Sequence, residues 1–484
     1  MSKRSVHYSL PLWLLICCLV PPVGSYLSGE KNSAAERPKR LVIALDGVPY
    51  TTIAALRAEG RFKRFHDPAR QICTFPSITS PAMVEILHAA DSPGYEDHYF
   101  DRERNRIVGG IPDRLRGTKF IQGTWRQQFG YHAPAFKGAL GYIAQPVGAM
   151  VLAELDLSGL KKAFRKSRAP MFIGYVGETD SLAHLGGEWA QKAFLRSLDR
   201  TIEDLMAESG GELEVEMFSD HGNHFASYQR ADLNPAIEKA GFVVEKKLSQ
   251  PRSVVFPRYG LIGTGALFTA PENRATLADI CASVEGIDFA AYLESDAAKP
   301  RAGQCVMLVS RRGRVRISQM QDRYRYETIS GDALELAPFV EELQKNGAMD
   351  AAGFASGSDW LRATLAHKYV DPLRRVMDGM TTHVKYRADV VISTQDGWYV
   401  GSAFLDAFAA LRATHGNLLR DQSGAFAIST RQQLSHTVRG YEVYELFELG
   451  SMLKAEGWAG KSEHCDFHQA LIASLGQNVR WLNR

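Results

Sequence analysis

Seven polar residues stand where apolar runs give way to turns or loops: Asp46, Thr79, Asp180, His184, Asp220, His221 and His415. They offer three carboxylates, three imidazoles and one hydroxyl. Carboxylate oxygens and neutral imidazole nitrogens are zinc ligands, and a catalytic zinc with three protein ligands keeps a position open. This mixture suits two zinc ions. Paired metals about 4 Å apart can clamp the attacking and leaving oxygens of an in-line displacement. A threonine hydroxyl is a weak nucleophile at neutral pH, and metal coordination makes its alkoxide accessible. Each residue also has an ordinary use, as a helix cap, a strand-ending turn or a surface histidine. The same pattern at several strand ends favours the metal reading.

Such residues need strands that end together. Leu41 to Leu45 is continuously apolar, as in a parallel strand covered on both faces, and stops at Asp46-Gly47. Met171 to Val176 is a second buried run, followed by Gly177-Glu178-Thr179-Asp180, with His184 one helical turn further on. Leu213 to Phe218 delivers Asp220-His221-Gly222. Thr79 lies in Phe75-Pro76-Ser77-Ile78-Thr79-Ser80-Pro81, ahead of a helical stretch, Met83 to Ala90. A helix amino terminus favours an anion. His415 sits in a polar loop, Thr414-His415-Gly416-Asn417. His224 is left outside the set, because a single histidine beside a site more often supports it than enters it.

Ala190, Phe194, Leu198, Ile202 and Leu205 recur at helical spacing and return the chain to the next strand, a right-handed crossover. The expected fold class is α/β, a three-layer sandwich with a mostly parallel central sheet flanked by helices. A smaller α+β subdomain, residues 254–385, is inserted between core segments 40–253 and 386–484. Ala388 to Ser393 is read as a late core strand, and Gly94 to Ala149 as loops and short helices near the site mouth. Arg323-Tyr324-Arg325-Tyr326 is read as a solvated face.

At 484 residues, 45% hydrophobic and 23% charged, the composition is that of a globular protein with a large core. A net charge of +3 gives no footing for a nucleic-acid polymer as partner. Residues 1–25 have the charged, apolar, small-residue order of a secretory signal, or of an uncleaved anchor that tethers the chain to a membrane; 26–39 is a linker. The expected location is therefore exported, periplasmic or secreted. Beyond that segment, Cys73, Cys281, Cys305 and Cys465 allow three disulfide connectivities, or buried free thiols.

Asp46-Gly47, the Phe75 to Pro81 string, Glu178 to His184, Ser219-Asp220-His221-Gly222 and Thr414-His415-Gly416 occur in the order of the alkaline phosphatase superfamily. The chain resembles its nucleotide pyrophosphatase/phosphodiesterase branch from Leu41 to about Thr430. The resemblance implies that Thr79 is a nucleophile forming a phospho-enzyme. Asp46, Asp220 and His221 would hold the zinc that also binds Thr79. Asp180, His184 and His415 would hold the zinc facing a small-molecule phosphate ester. Ala82 stands where that branch has asparagine, and the Cys-x-Pro-x-Arg signature of sulfatases is absent around Cys73. A phosphomonoesterase or phosphonate hydrolase on the same fold stays open, as does a non-catalytic, metal-stabilised binding protein.

If residues 1–25 are a cleaved signal, amino-terminal sequencing of exported protein should begin near Tyr26; a sequence beginning at Met1 would mark an anchor.

Overall fold

The computed structural model describes residues 39–109, 124–133, 136–258, 260–294, 303–406 and 410–450, with backbone alone for 136–147, 404 and 405. The 1–25 segment, residues 26–38 of the linker and Cys465 lie outside the described residues. No described helix is long and apolar enough to cross a membrane.

Seven strands form the central sheet: β1 (Arg40–Leu45), β2 (Ala69–Ile72), β3 (Tyr131–His132), β4 (Met171–Val176), β5 (Glu214–Ser219), β6 (Gly424–Ser429) and β7 (Thr437–Arg439). Their order across the sheet is β7-β2-β6-β5-β1-β4-β3. β5, β1, β4 and β3 run parallel, as do β2 and β7, while β6 is antiparallel to both neighbours. Helices α1 (Tyr50–Ala58), α2 (Thr79–Ile86), α3 (Phe136–Lys166) and α4 (Glu178–Glu208) flank it. Alternation along β1 shows why both faces are covered. Leu41, Ile43 and Leu45 pack with Ile53 of α1, Leu157 of α3 and Phe194 of α4. Val42 and Ala44 point the other way, onto Met83 and Val84 of α2. The expected three-layer sandwich is present.

A second seven-stranded sheet is antiparallel throughout. Its spatial order is Thr264–Leu267, Val390–Thr394, Ile287–Leu293, Cys305–Ser310, Gly313–Met320, Arg323–Gly331 and Ala355–Ser356. Arg274–Ser283 covers one face and α5 (Pro372–Thr381) the other, giving the expected α+β subdomain.

Three expectations are corrected. Val390–Thr394 belongs to this second sheet, not to the core sheet, because it pairs with Thr264–Leu267 and Ile287–Leu293. The Arg323 to Tyr326 run is a strand with one buried face: Tyr324 and Tyr326 turn inward, while Arg323 and Arg325 pair with Asp350 and Glu327. Within 94–149 the chain forms a hairpin, His98–Asp101 with Arg106–Gly109, and the first half of the 31-residue helix α3. Gly138, Gly141, Pro146 and Gly148 mask that helix in the sequence. Among its described side chains, Ala149, Ala153, Leu157, Leu160 and Phe164 enter the core. Cys73, Cys281 and Cys305 are free thiols.

The second sheet bears on the first through α5. A Cβ at Gly379 would lie 2.0 Å from the Phe75 carbonyl oxygen, on the segment leading to Thr79. Buried Arg374 on the same helix pairs with buried Glu85 of α2.

Gly379→Ala should therefore overpack this contact and destabilise the fold by about 1–3 kcal/mol. Thermal unfolding measures the loss.

Candidate metal centre

β5, β1 and β4 end in step. Leu45 lies opposite both Val176 and Ser219, so Asp46, Gly177 and Asp220 leave the same carboxyl edge of the sheet. Gly47 follows at φ +64°, and a Cβ there would meet Asp180 Oδ1 at 2.4 Å. Only glycine lets the β1 turn approach that carboxylate. Asp180 and His184 occupy the opening turns of α4, which kinks at Gly187 before its long arm packs on the sheet.

Thr79 is the first residue of α2, after an extended Ile78. The loop before it is stitched to the His415 loop. His415 Nδ1 donates to the Ser77 carbonyl at 2.8 Å, the Gly416 amide donates to Ser77 Oγ at 3.1 Å, and Ser77 Oγ donates to the Asn417 carbonyl at 2.9 Å.

All seven sequence-derived residues meet in one place. Thr79 Oγ1 lies 3.3 Å from Asp46 Oδ1 and 3.4 Å from His221 Nε2. His221 Nε2 lies 3.3 Å from Asp46 Oδ1 and 3.5 Å from Asp220 Oδ2. Across the cluster, Asp180 Oδ2 is 3.2 Å from His184 Nε2 and Asp180 Oδ1 is 3.7 Å from His415 Nε2. The His221 and His415 rings stack 3.8 Å apart. Asp46, Asp220 and His221 form one triple of donors, and Asp180, His221 and His415 another, each within 4.8 Å. Donors roughly 2.0–2.1 Å from a tetrahedral zinc stand about 3.3 Å apart, so these spacings suit that ion.

The donor chemistry fits as well. The Nδ1–H of His221 is engaged by the Gly222 carbonyl at 2.9 Å, and that of His415 by Ser77. In the neutral ring, the form that binds a metal, each bond selects the tautomer whose unprotonated Nε2 faces the cluster. Asp220 accepts the Gly47 and His221 amides on Oδ1, while its buried Oδ2 has no hydrogen-bond partner. Among the described residues no lysine or arginine pairs with Asp46, Asp180 or Asp220. Burial, with Asp46 beside it, pushes Asp220 up to about 8. Burial opposes charge on His221, but Asp220 and Asp46 outweigh it and raise the imidazole to about 10. Burial and the neighbouring His221 drive His415 well below its usual value.

Sequence reading missed the residues that hold these donors. Tyr175 donates to Asp46 Oδ2 at 2.5 Å, and Asn223 Nδ2 donates to Asp180 Oδ1 and the Gly47 carbonyl, both at 2.8 Å. A lone tyrosine in the apolar β4 run was the available signal, since a buried phenol needs a partner. His224, left outside the set, instead pairs with Asp396 at 2.9 Å. Arg126 lies with its guanidinium 4.6 Å from the Trp125 ring centre and 5.9 Å from that of Tyr175.

Comparison with models of known families finds no match, and comparison with curated proteins finds none. Among solved structures, the chain is similar to phosphonoacetate hydrolase from Sinorhizobium meliloti 1021 in complex with phosphonoformate. That match has a TM-score of 0.49 at 12% identity, over 86% of this chain and 96% of that one. The same enzyme in complex with phosphonoacetate matches with a TM-score of 0.47 at 11% identity, over the same shares of the two chains, 86% and 96%.

In the metal-free chain the raised Asp220 carboxyl keeps its proton when folded and loses it when unfolded. Its contribution to stability is therefore full below the ordinary carboxylate range and declines as pH rises toward about 8. Melting curves of chelator-treated protein should fall across that window, and added zinc should flatten the slope. Asp220→Asn should raise the metal-free melting temperature while weakening zinc binding at least roughly tenfold.

Proposed function

We propose that this protein is a dizinc hydrolase that transfers a phosphoryl group first to Thr79 and then to water. One observation carries the reading: the Thr79 hydroxyl, at the start of α2, touches Asp46 and His221 beside two donor triples. Asp46, Asp220 and His221 would hold the ion nearer Thr79. Asp180, His184 and His415 would hold the other, with His184 reaching Asp180 rather than entering the second triple directly. When bound, the ions lower the pKa of the Thr79 hydroxyl and offset charge on the phosphoryl oxygens.

The chain's own residues then define the chemistry. Thr79 Oγ1 bonds to phosphorus as the leaving group departs with its electron pair and takes up a proton. The positive end of α2 stabilises the anionic phosphothreonine. Water oxygen next bonds to phosphorus, the Oγ1–phosphorus bond breaks, and Thr79 regains a proton.

The resemblance of the motifs puts a phosphodiester first among substrates. A monoester or phosphonate, whose phosphoryl group carries more charge, is the second reading and calls for an added cation beside the centre. Arg126 stands beside Tyr175, and its Nε has no hydrogen-bond partner. By contrast, Arg420 is engaged by the Ala366 carbonyl and Asp421.

Thr79→Ala should keep bound zinc and lower turnover by at least roughly 10³-fold. Steady-state rates on bis-p-nitrophenyl phosphate, p-nitrophenyl phosphate and phosphonoacetate would rank the substrate classes. Turnover unchanged in Thr79→Ala would reject the nucleophile.

A further inference from the structure

The three carboxylates of the centre share one arrangement. Asp220 has Oδ1 tied by two backbone amides and Oδ2 bare. Asp180 has Oδ1 tied by Asn223 and 3.7 Å from His415 Nε2, while Oδ2 faces His184. Asp46 has Oδ2 tied by the Tyr175 hydroxyl, while Oδ1 faces both Thr79 and His221. Tyr175 is the one side chain outside the donor set that bonds the Asp46 carboxylate among the described residues.

That hydroxyl is held with little freedom. Tyr175 is 4% exposed, on the second-last position of β4. Trp125 meets its ring edge-on at 5.6 Å and 84°, and Phe129 packs at 5.5 Å. The Asp46 main chain is fixed too: its amide donates to the Val176 carbonyl at 3.1 Å and to Thr179 Oγ1 at 3.0 Å. With backbone and Oδ2 both anchored, rotation about the last side-chain bond is what the phenol removes.

Resting on the dizinc reading above, we infer that Tyr175 is a positioning residue that makes Asp46 a one-oxygen ligand and aims Oδ1 at the position shared with Thr79. A carboxylate free to turn can give both oxygens to one cation, adding a ligand where the nucleophile must sit. The phenol blocks that by holding Oδ2 in its own hydrogen bond, while Oδ1 faces Thr79 and His221. It thereby sets the coordination number on the Thr79 side of the centre, although it touches neither the substrate nor a reacting atom.

Tyr175→Phe keeps the ring and its packing on Trp125 and Phe129 and deletes only the hydroxyl. Zinc affinity is measured by chelator competition, and the Thr79-side ion is expected to bind roughly 10–100-fold more weakly. Cobalt(II), substituted for zinc as a spectroscopic probe, should show weaker visible absorption as Asp46 supplies its second oxygen. A merely structural role would leave that spectrum unchanged. Parent-like zinc affinity together with a parent-like cobalt spectrum overturns the inference alone. A parent protein that binds neither zinc nor cobalt overturns the dizinc reading, and this inference with it. Should Tyr175→Phe fail to fold, 3-fluorotyrosine at position 175 keeps ring and hydroxyl but strengthens the donor. A cobalt spectrum displaced from the parent's supports the inference, and an unmoved one overturns it.

Discussion

Three carboxylates packed together without a lysine or arginine among them form the constraint on which the rest depends. Asp220 is fully buried, Asp46 and Asp180 nearly meet it through His221 and His415, and none has a permanent cationic partner among the described residues. Removing an ionised carboxylate from water costs several kcal/mol even after the protein relaxes. Backbone amides and the hydroxyl and amide of Tyr175 and Asn223 offset part of this by tying one oxygen of each acid. In the metal-free chain the His221 imidazole, which against its burial Asp220 and Asp46 raise to about 10, meets part of this charge. The remaining negative charge has to be met from outside the chain, and the bare Nε2 and Oδ atoms are where a divalent cation finds ligands.

The two sheets divide the labour. The central sheet and its crossover helix supply Asp46, Asp180, His184, Asp220 and His221, because three parallel strands end in register. The second sheet supplies no donor and acts as a buttress. Its helix α5 presses Gly379 against the Phe75 carbonyl, and buried Arg375 donates to the Leu418 and Val370 carbonyls close behind His415. The position of the Thr79 hydroxyl thus rests on packing between layers as well as on the strand ends.

Much of this was legible in the residues. The apolar runs before Asp46 and Asp220 announced buried parallel strands, and Asp180 and His184 announced one helical face. What escaped has physical reasons. Tyr175 and Asn223 act through single hydrogen bonds between distant segments, which no local pattern records. Helix α3 opens with residues of poor helix propensity and is set by packing further along. Val390–Thr394 has the continuous apolar texture of a core strand because its sheet, too, is covered on both faces.

The bond from His415 to Ser77 spans 338 residues of sequence, and that from Gly416 to Ser77 spans 339. The threonine and the last imidazole therefore cannot be brought together while the chain is still emerging from the ribosome short of that loop. Closing so long a loop carries its entropy cost before any local contact repays it, which places assembly of the centre late in folding. Any growing or truncated chain that stops before residue 415 can hold well-formed strands and yet lack the last imidazole of the cluster.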